Sequence, residues 1–292
     1  MQKNNRPALM LVTAMFLFGT IGPFVRGISV SSGELALYRA ILAALMIGAF
    51  LLLTRQKLDP RSARKELLLL LISGGAMGFN WILLFEAYKY TTVSVATLTY
   101  YFAPVLVTAA CPFLFKEKLT KKQALCFVMS TIGLVMITGL GDAGSGSRDH
   151  IGILFALSAA VLYASVVLLN KFIKNVTGIH RTFLQFLGAI VVLIPYVAMT
   201  GGVTLAGLDS TGWIFLLIVG IVHTGVTYCM YFSALRDLPG QKAAILSYID
   251  PLVAVVVSVA LLREEMQPLQ LIGGGLILVF TLINELPDRK RK

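Results

Sequence analysis

The sharpest candidate for chemistry lies on one apolar run, 241–262, which reads QKAAILSYIDPLVAVVVSVALL with Asp250 and Pro251 at its middle. A carboxylate at membrane depth costs roughly 2.5–3.5 kcal/mol on insertion scales, so it faces protein or a water-filled cavity. In such a place it either pairs with a neighbouring helix or caps the backbone freed at Pro251, or it serves a substrate as counter-ion or carries a proton. Pro251 has no N–H and crowds the carbonyl of Ser247, so the helix is expected to break beside the acid. The face through Ala243, Ser247, Asp250, Ala254 and Ser258 is small or polar, while most of the remainder is Leu, Ile and Val. A broken, polar-faced helix in so apolar a chain reads as the wall of a substrate path.

Arg39 poses the same problem with the opposite sign, about six residues into another apolar run. It either snorkels outward and pins helices together, or binds a substrate carboxylate. With Asp250 it suits a zwitterion, although the sequence does not place the two in one cavity. His223 offers an imidazole, the side chain whose unperturbed form titrates near neutrality, against which stands the commoner role of a hydrogen-bonded packing residue. Tyr100, Tyr101, Tyr248, Trp81, Asn80, Tyr228 and Tyr163 can stack on a planar substrate and hydrogen-bond it, and are read as a set of cavity candidates. Glu86, Lys89, Glu117 and Glu264 fall at helix ends and are expected to be exposed charges that fix helix depth.

Other chemistries find no support. Cys111, Cys126 and Cys229 lie inside apolar runs without metal spacing and read as small hydrophobes. No metal and no cofactor is expected. None of His150, His180 and His223 begins an HExxH or joins a Gly-x-Ser-x-Gly, so the chain is expected not to be an enzyme. Gly74, Gly75, Gly273, Gly274 and Gly275 read as close-packing surfaces rather than a phosphate loop, because no GK[ST] follows.

These side chains must be carried by membrane-spanning helices. Of 292 residues 57% are hydrophobic and 13% charged, about half the charge of a soluble domain, and mean hydropathy is +0.83. Ten apolar segments are expected as an all-α membrane fold: 7–28, 34–53, 67–88, 93–115, 123–140, 151–172, 180–199, 212–234, 241–262 and 269–285. The first is too long for a cleaved leader and is read as a retained span interrupted at Gly22-Pro23. The net charge of +11 lies in short clusters between the runs, which argues for membrane loops and against nucleic acid. With the N-terminus inside, twenty Lys and Arg fall on the cytoplasmic side and four outside, so both termini are expected in the cytoplasm of a cell-membrane protein.

The chain also repeats. At an offset of 147, Phe85, Ala87, Ala96, Tyr101, Pro104, Glu117 and Gln123 meet identical residues at Phe232, Ala234, Ala243, Tyr248, Pro251, Glu264 and Gln270. Lys89/Arg236 and Lys116/Arg263 match in the same register, Asp250 aligns with Ala103, and Pro104, like Pro251, is expected to break its helix. Nearer each start, Phe18-Gly19 and Arg26 match Tyr163-Ala164 and Lys171 at 145, and Arg39 and Ala43 match Gln185 and Ala189 at 146. Five spans per copy is odd, so the second copy should run inverted, the arrangement typical of alternating-access carriers. The expected division is 1–140 for the first repeat, 141–150 for a flexible linker, 151–285 for the second repeat and 286–292 for a basic tail.

The segments AMFLFGT (14–20), YRAILAA (38–44), TYYFAPVLVTAACPFLFKEKLTKKQ (99–123) and its echo SYIDPLVAVVVSVALLREEMQPLQ (247–270) resemble the EamA-type carriers of the drug/metabolite transporter superfamily. Two local departures are Cys126, where a Gly is common, and Tyr163-Ala164, where the first copy has an aromatic-Gly pair. The resemblance implies ten helices in two inverted repeats and a central cavity walled mainly by segments one, three, four, six, eight and nine. It also implies efflux of a small organic metabolite or drug. The expected partners are that small molecule, the lipid bilayer and protons, with the chain a monomer or homodimer. A facilitator without ion coupling is the alternative.

Overall fold

The computed structural model describes residues 6–56, 60–116, 120–138, 149–238, 243 and 246–286, and every regular element among them is helical. In order these are α1 (Arg6–Gly19), α2 (Ile21–Arg26), α3 (Ser32–Leu53), α4 (Pro60–Lys65), α5 (Leu67–Tyr90), α6 (Val93–Tyr100), α7 (Ala103–Phe115), α8 (Lys121–Thr138), α9 (Asp149–Asn170), α10 (Gly178–Thr200), α11 (Ser210–Leu217), α12 (Thr227–Asp237), α13 (Ile249–Leu262) and α14 (Pro268–Glu285). A π-helix, Ile218–Val226, joins α11 to α12 without a break. Glu117, nearly all of the expected linker and nearly all of the basic tail lie outside the described residues.

Among the described residues, seven helical stretches are long and apolar enough to cross a membrane: Arg6–Arg26, Ser32–Leu53, Leu67–Tyr90, Val93–Leu114, Asp149–Asn170, Gly178–Thr200 and Ser210–Asp237. The expected fifth, ninth and tenth spans appear as shorter or less apolar helices, α8, α13 and α14; α8 begins with two lysines. Leu52, Leu53, Phe113 and Met199 are almost fully exposed. Such a surface is unfavourable in water and neutral in hydrocarbon, so this is a multi-pass membrane protein.

The largest packed cluster lies between α3, α5, α10 and the π-helix, around Ile47, Phe85, Phe186, Leu193 and Val219. Its backbones come close because the facing residues are small: Ala36, Ala40 and Ala43 on α3 are fully buried. At Gly74 a Cβ would strike the Gln185 carbonyl of α10, so this glycine sets how closely α5 and α10 approach. Gly275, by contrast, meets nothing and is not a packing surface.

Four of the ten expected segments depart from regular α geometry. The first breaks at Thr20 rather than at Gly22-Pro23. Pro23 is the third residue of α2, where its missing N–H has no intrahelical partner to lose. The fourth breaks at Tyr101-Phe102, with Pro104 the second residue of α7. The ninth turns at Tyr248, so that Asp250 and Pro251 fall in the first turn of α13. In the eighth, Thr224 and Thr227 donate hydroxyl hydrogen bonds to the carbonyls of Val219 and Val222, each five residues back and 2.7 Å away. Short π segments often sit at functional sites.

Candidate functional site

The breaks in the first, fourth and ninth segments border one cavity of about 560 Å³, while the π-helix contributes no lining residue. Arg39, Trp81, Tyr100, Tyr101, Tyr163, Tyr228, Tyr248, Asp250 and Pro104 all line it; Asn80, His223 and Pro251 do not. Its wall draws on the first, third, fourth, sixth, eighth and ninth segments, and also on the second and seventh through Arg39 and Gln185.

Asp250 reaches the cavity because the turn at Tyr248 releases it from a continuous helix. Its Oδ2 accepts the Tyr101 hydroxyl at 2.6 Å, so the acid at one break is held by the tyrosine at another. The first break packs against the same point: a Cβ on Gly19 would lie 2.6 Å from the Asp250 carbonyl oxygen. Only glycine lets the two discontinuities touch.

Arg39 does not snorkel. It is 6% exposed, and its Nε donates to Thr224 Oγ1 at 2.7 Å, so the π-helix that turns Thr224 also aims the guanidinium. Trp81 and Phe85 lie 4.6 and 5.6 Å from the guanidinium carbon and offer their negative ring faces to the cation. No carboxylate among the described residues forms a salt bridge with it, and its terminal nitrogens take no protein acceptor and are not sealed in protein.

The candidates outside the lining stand directly behind it. Asn80 donates to the Ala159 carbonyl at 2.6 Å and accepts the Tyr100 hydroxyl at 3.4 Å, which orients a lining tyrosine and joins α5 to α9. His223 is buried, shares a 3.0 Å hydrogen bond with Thr20 and packs 4.8 Å from the Phe24 ring, tying the first break to the π-helix. The aromatic wall is continuous: Tyr100 and Tyr163 are 5.5 Å apart, Phe18 and Tyr228 5.2 Å, and Tyr228 and Phe232 6.1 Å.

A polar group that single-residue reasoning passed over lies toward the other end. Asn170, Arg181, Thr182 and Gln185 line the cavity, with Gln185 donating to Ser73 Oγ at 2.5 Å and to Asn170 Oδ1 at 2.8 Å. The signal was present in the repeat, which pairs Gln185 with Arg39.

The two ends of the cavity differ. Where α2, α5, α6 and α13 end or begin, Glu264 corrects the expectation of an exposed depth marker, because its side chain is only 5% exposed. It ion-pairs with Arg26 at 2.6 Å, accepts the N–H groups of Val93 and Ser94 at 3.0 and 3.3 Å, and takes a hydrogen bond from Ser258. These N–H groups open α6 and have no intrahelical partner, so the acid satisfies donors that lipid would leave bare. Arg26 in turn holds the Tyr88 and Thr91 carbonyls at 3.2 and 2.7 Å. Behind Phe85 and Tyr88, which border both spaces, lies a second hollow of about 410 Å³ lined by Arg26 and Lys89. At the far end the main cavity is bordered by Asn170, Gly178 and Arg181.

A multi-pass helical membrane protein with an internal, polar-spotted, aromatic-walled cavity is thereby defined. Its sequence matches the EamA-like transporter family over residues 5–139 and again over 150–285, and the chain belongs to that family of membrane transporters. Among its relatives is the uncharacterized transporter YxxF of Bacillus subtilis, 32% identical over 87% of this chain and 81% of that one. An uncharacterized transporter of Archaeoglobus fulgidus is 28% identical over 94% of each chain, and the biotin transporter of Escherichia coli is 23% identical over 94% and 91%. Among solved structures that share the fold is a crystal structure with a TM-score of 0.65 at 16% identity over 95% of this chain and 96% of that one.

Proposed function

We propose that this protein is a secondary transporter that moves small organic metabolites, such as amino acids or drug-like compounds, out of the cell. It works by alternating access between two inverted five-helix repeats, 1–140 and 151–285. It sits in the cell membrane with both termini in the cytoplasm, as the distribution of Lys and Arg supports. The observation that carries the reading is one cavity that holds Arg39, Asp250 and an aromatic wall, with the Arg26–Glu264 pair behind its lining residue Val93; in this reading that pair is the latch at one end. Rocking the halves would part that latch and close the end beside Gly178 and Arg181. A relative named as a biotin transporter supports a small organic substrate. Asp250 is the proton carrier in this reading, since it is the acid that lines the cavity.

Uptake into proteoliposomes driven by a pH gradient tests this, first with the intact protein and then with Asp250→Asn. Loss of gradient-driven accumulation in the variant supports coupling through Asp250. Accumulation with unchanged pH dependence removes the proton, and equilibration without accumulation in the intact protein leaves a facilitator.

A further inference from the structure

Resting on the transporter reading, we infer that the cavity selects substrates carrying a carboxylate, which Arg39 grips beside an aromatic wall. The cation is nine-tenths buried, and a guanidinium stays charged at any physiological pH. A buried charge without a counter-charge is unfavourable, and protein interiors ordinarily supply one. Here the described residues supply a threonine hydroxyl on Nε and two ring faces, while the terminal N–H groups meet no protein acceptor. Those groups form the planar fork that matches a carboxylate with two parallel hydrogen bonds.

The fork is held rather than loose. Nε is spent on Thr224, whose own hydroxyl proton goes to Val219 within the π-helix, and Trp81 stacks beside the guanidinium plane. With Arg39, Arg181 and Asp250 all lining the cavity, its wall carries one positive charge in excess, which one bound monoanion balances without moving the arginine. A dianion fits less well, because Asp250 lines the same space. Trp81, Tyr100, Tyr163 and Tyr228 give the rest of the molecule flat apolar faces, so the favoured class is a monocarboxylate with a planar ring.

Calorimetric titration of the purified full-length protein in lipid nanodiscs tests this with matched pairs: indole-3-acetate against indole-3-acetamide, phenylacetate against phenylacetamide, and tryptamine as the cationic counterpart. Each acid is expected to bind about tenfold or more tighter than its amide, since the amide replaces a charged oxygen with a donor facing donors. Arg39→Gln should bring acid and amide within about twofold of each other, and Arg39→Lys, which keeps the charge but loses the fork, should fall between. If Arg39→Gln does not fold, the wild-type ratio and Arg39→Lys carry the test. Equal binding of acid and amide, preference for tryptamine, absence of binding by either acid, or an unchanged ratio in Arg39→Lys would overturn the inference. Counterflow in proteoliposomes separates it from the transporter reading. Acid-selective binding without counterflow removes transport and keeps the site, whereas counterflow of amide or amine without acid preference removes the site and keeps transport.

Discussion

The two family-matched halves build nearly the same wall and arm it differently. Phe18/Tyr163, Arg39/Gln185, Trp81/Tyr228, Phe85/Phe232, Tyr101/Tyr248 and Ala103/Asp250 occupy equivalent places in the two copies, and all twelve line the cavity. The aromatic positions are kept in kind. The charges are not: the first half carries the cation where the second has an amide, and the second carries the acid where the first has a methyl group. Each charge is moreover held by the opposite half, Asp250 by Tyr101 and Arg39 by Thr224. Duplication thus supplies the container and divergence supplies the polarity. The polar bonds that fix the charges lie across the seam along which the proposed rocking takes place.

Moving the acid across that seam is the strongest way to break this comparison. Asp250→Asn should lower gradient-driven transport by roughly tenfold or more, the scale of one lost charge-assisted interaction of about 1.4 kcal/mol or above. Adding Ala103→Asp to that variant should restore part of it, because Tyr248 stands in the second half where Tyr101 stands in the first. Recovery in proteoliposome uptake would mean the halves are interchangeable as acid carriers. Its complete absence would mean that the surroundings of Asp250, and not the acid alone, are specialised.

Much of this was legible in the sequence, and the reasons are physical. Apolar run length and an offset that aligns Pro104 with Pro251 report helices and duplication directly, since both are one-dimensional facts. The breaks at Tyr101-Phe102 and Tyr248 followed from the same prolines. The break at Thr20 falls three residues before Pro23, as that at Tyr248 falls three before Pro251, and so lies close to the expected interruption. The π-helix was not legible, because no proline marks it and its surplus carbonyls are satisfied by Thr224 and Thr227, residues common in any membrane helix. Glu264 was misread for a related reason. Adjacent to an apolar run it looks like a surface charge, and only the fold brings the open N-terminus of α6 to it from 170 residues away. Arg39 and Asp250 stood out singly, and that one cavity holds both is a fact of packing alone.

The latch sharpens the contrast between the ends. Glu264→Gln removes the acid from Arg26 and sets an amide against the Val93 and Ser94 N–H groups, which should destabilise the protein by roughly 3 kcal/mol as a broken buried pair. The melting temperature reads this directly. A cysteine placed at Thr97, which lines the cavity, should also react faster with an impermeant maleimide supplied from the latched side. A lower melting temperature with unchanged labelling would make Glu264 a cap on α6 and not a closure. Gly19→Ala comes next at about 2 kcal/mol, the scale of an overpacked contact, because its new methyl group must push the Asp250 carbonyl or Val253 aside. Thermal unfolding measures it, and an unaltered transition would show that the first and ninth segments yield at their crossing.

The smallest expected effect concerns the carboxylate that performs the reciprocal task. Glu264, from the second half, seizes backbone N–H groups of the first; Glu66, from the first half, seizes those of the second at the opposite end. Glu66 Oε1 accepts from the N–H of Lys174 at 2.7 Å and of Asn175 at 3.0 Å, and from the Asn175 amide at 3.0 Å, while Oε2 accepts from the N–H of Val176 at 3.1 Å. Burial pushes its carboxyl upward, but the donors on the charged form outweigh it, and the net result lies below the ordinary 4.5. A carboxyl held below its unfolded value stabilises the fold fully above about pH 4.5, and loses that contribution as pH falls through the lower folded value. Glu66→Gln should therefore cost about 1 kcal/mol at neutral pH. The gap in melting temperature from the parent protein should narrow when both are acidified to about pH 3.5. A gap independent of pH would assign the loss to altered packing of the loop at 174–176 and would leave Glu264 as the member of this pair whose charge matters.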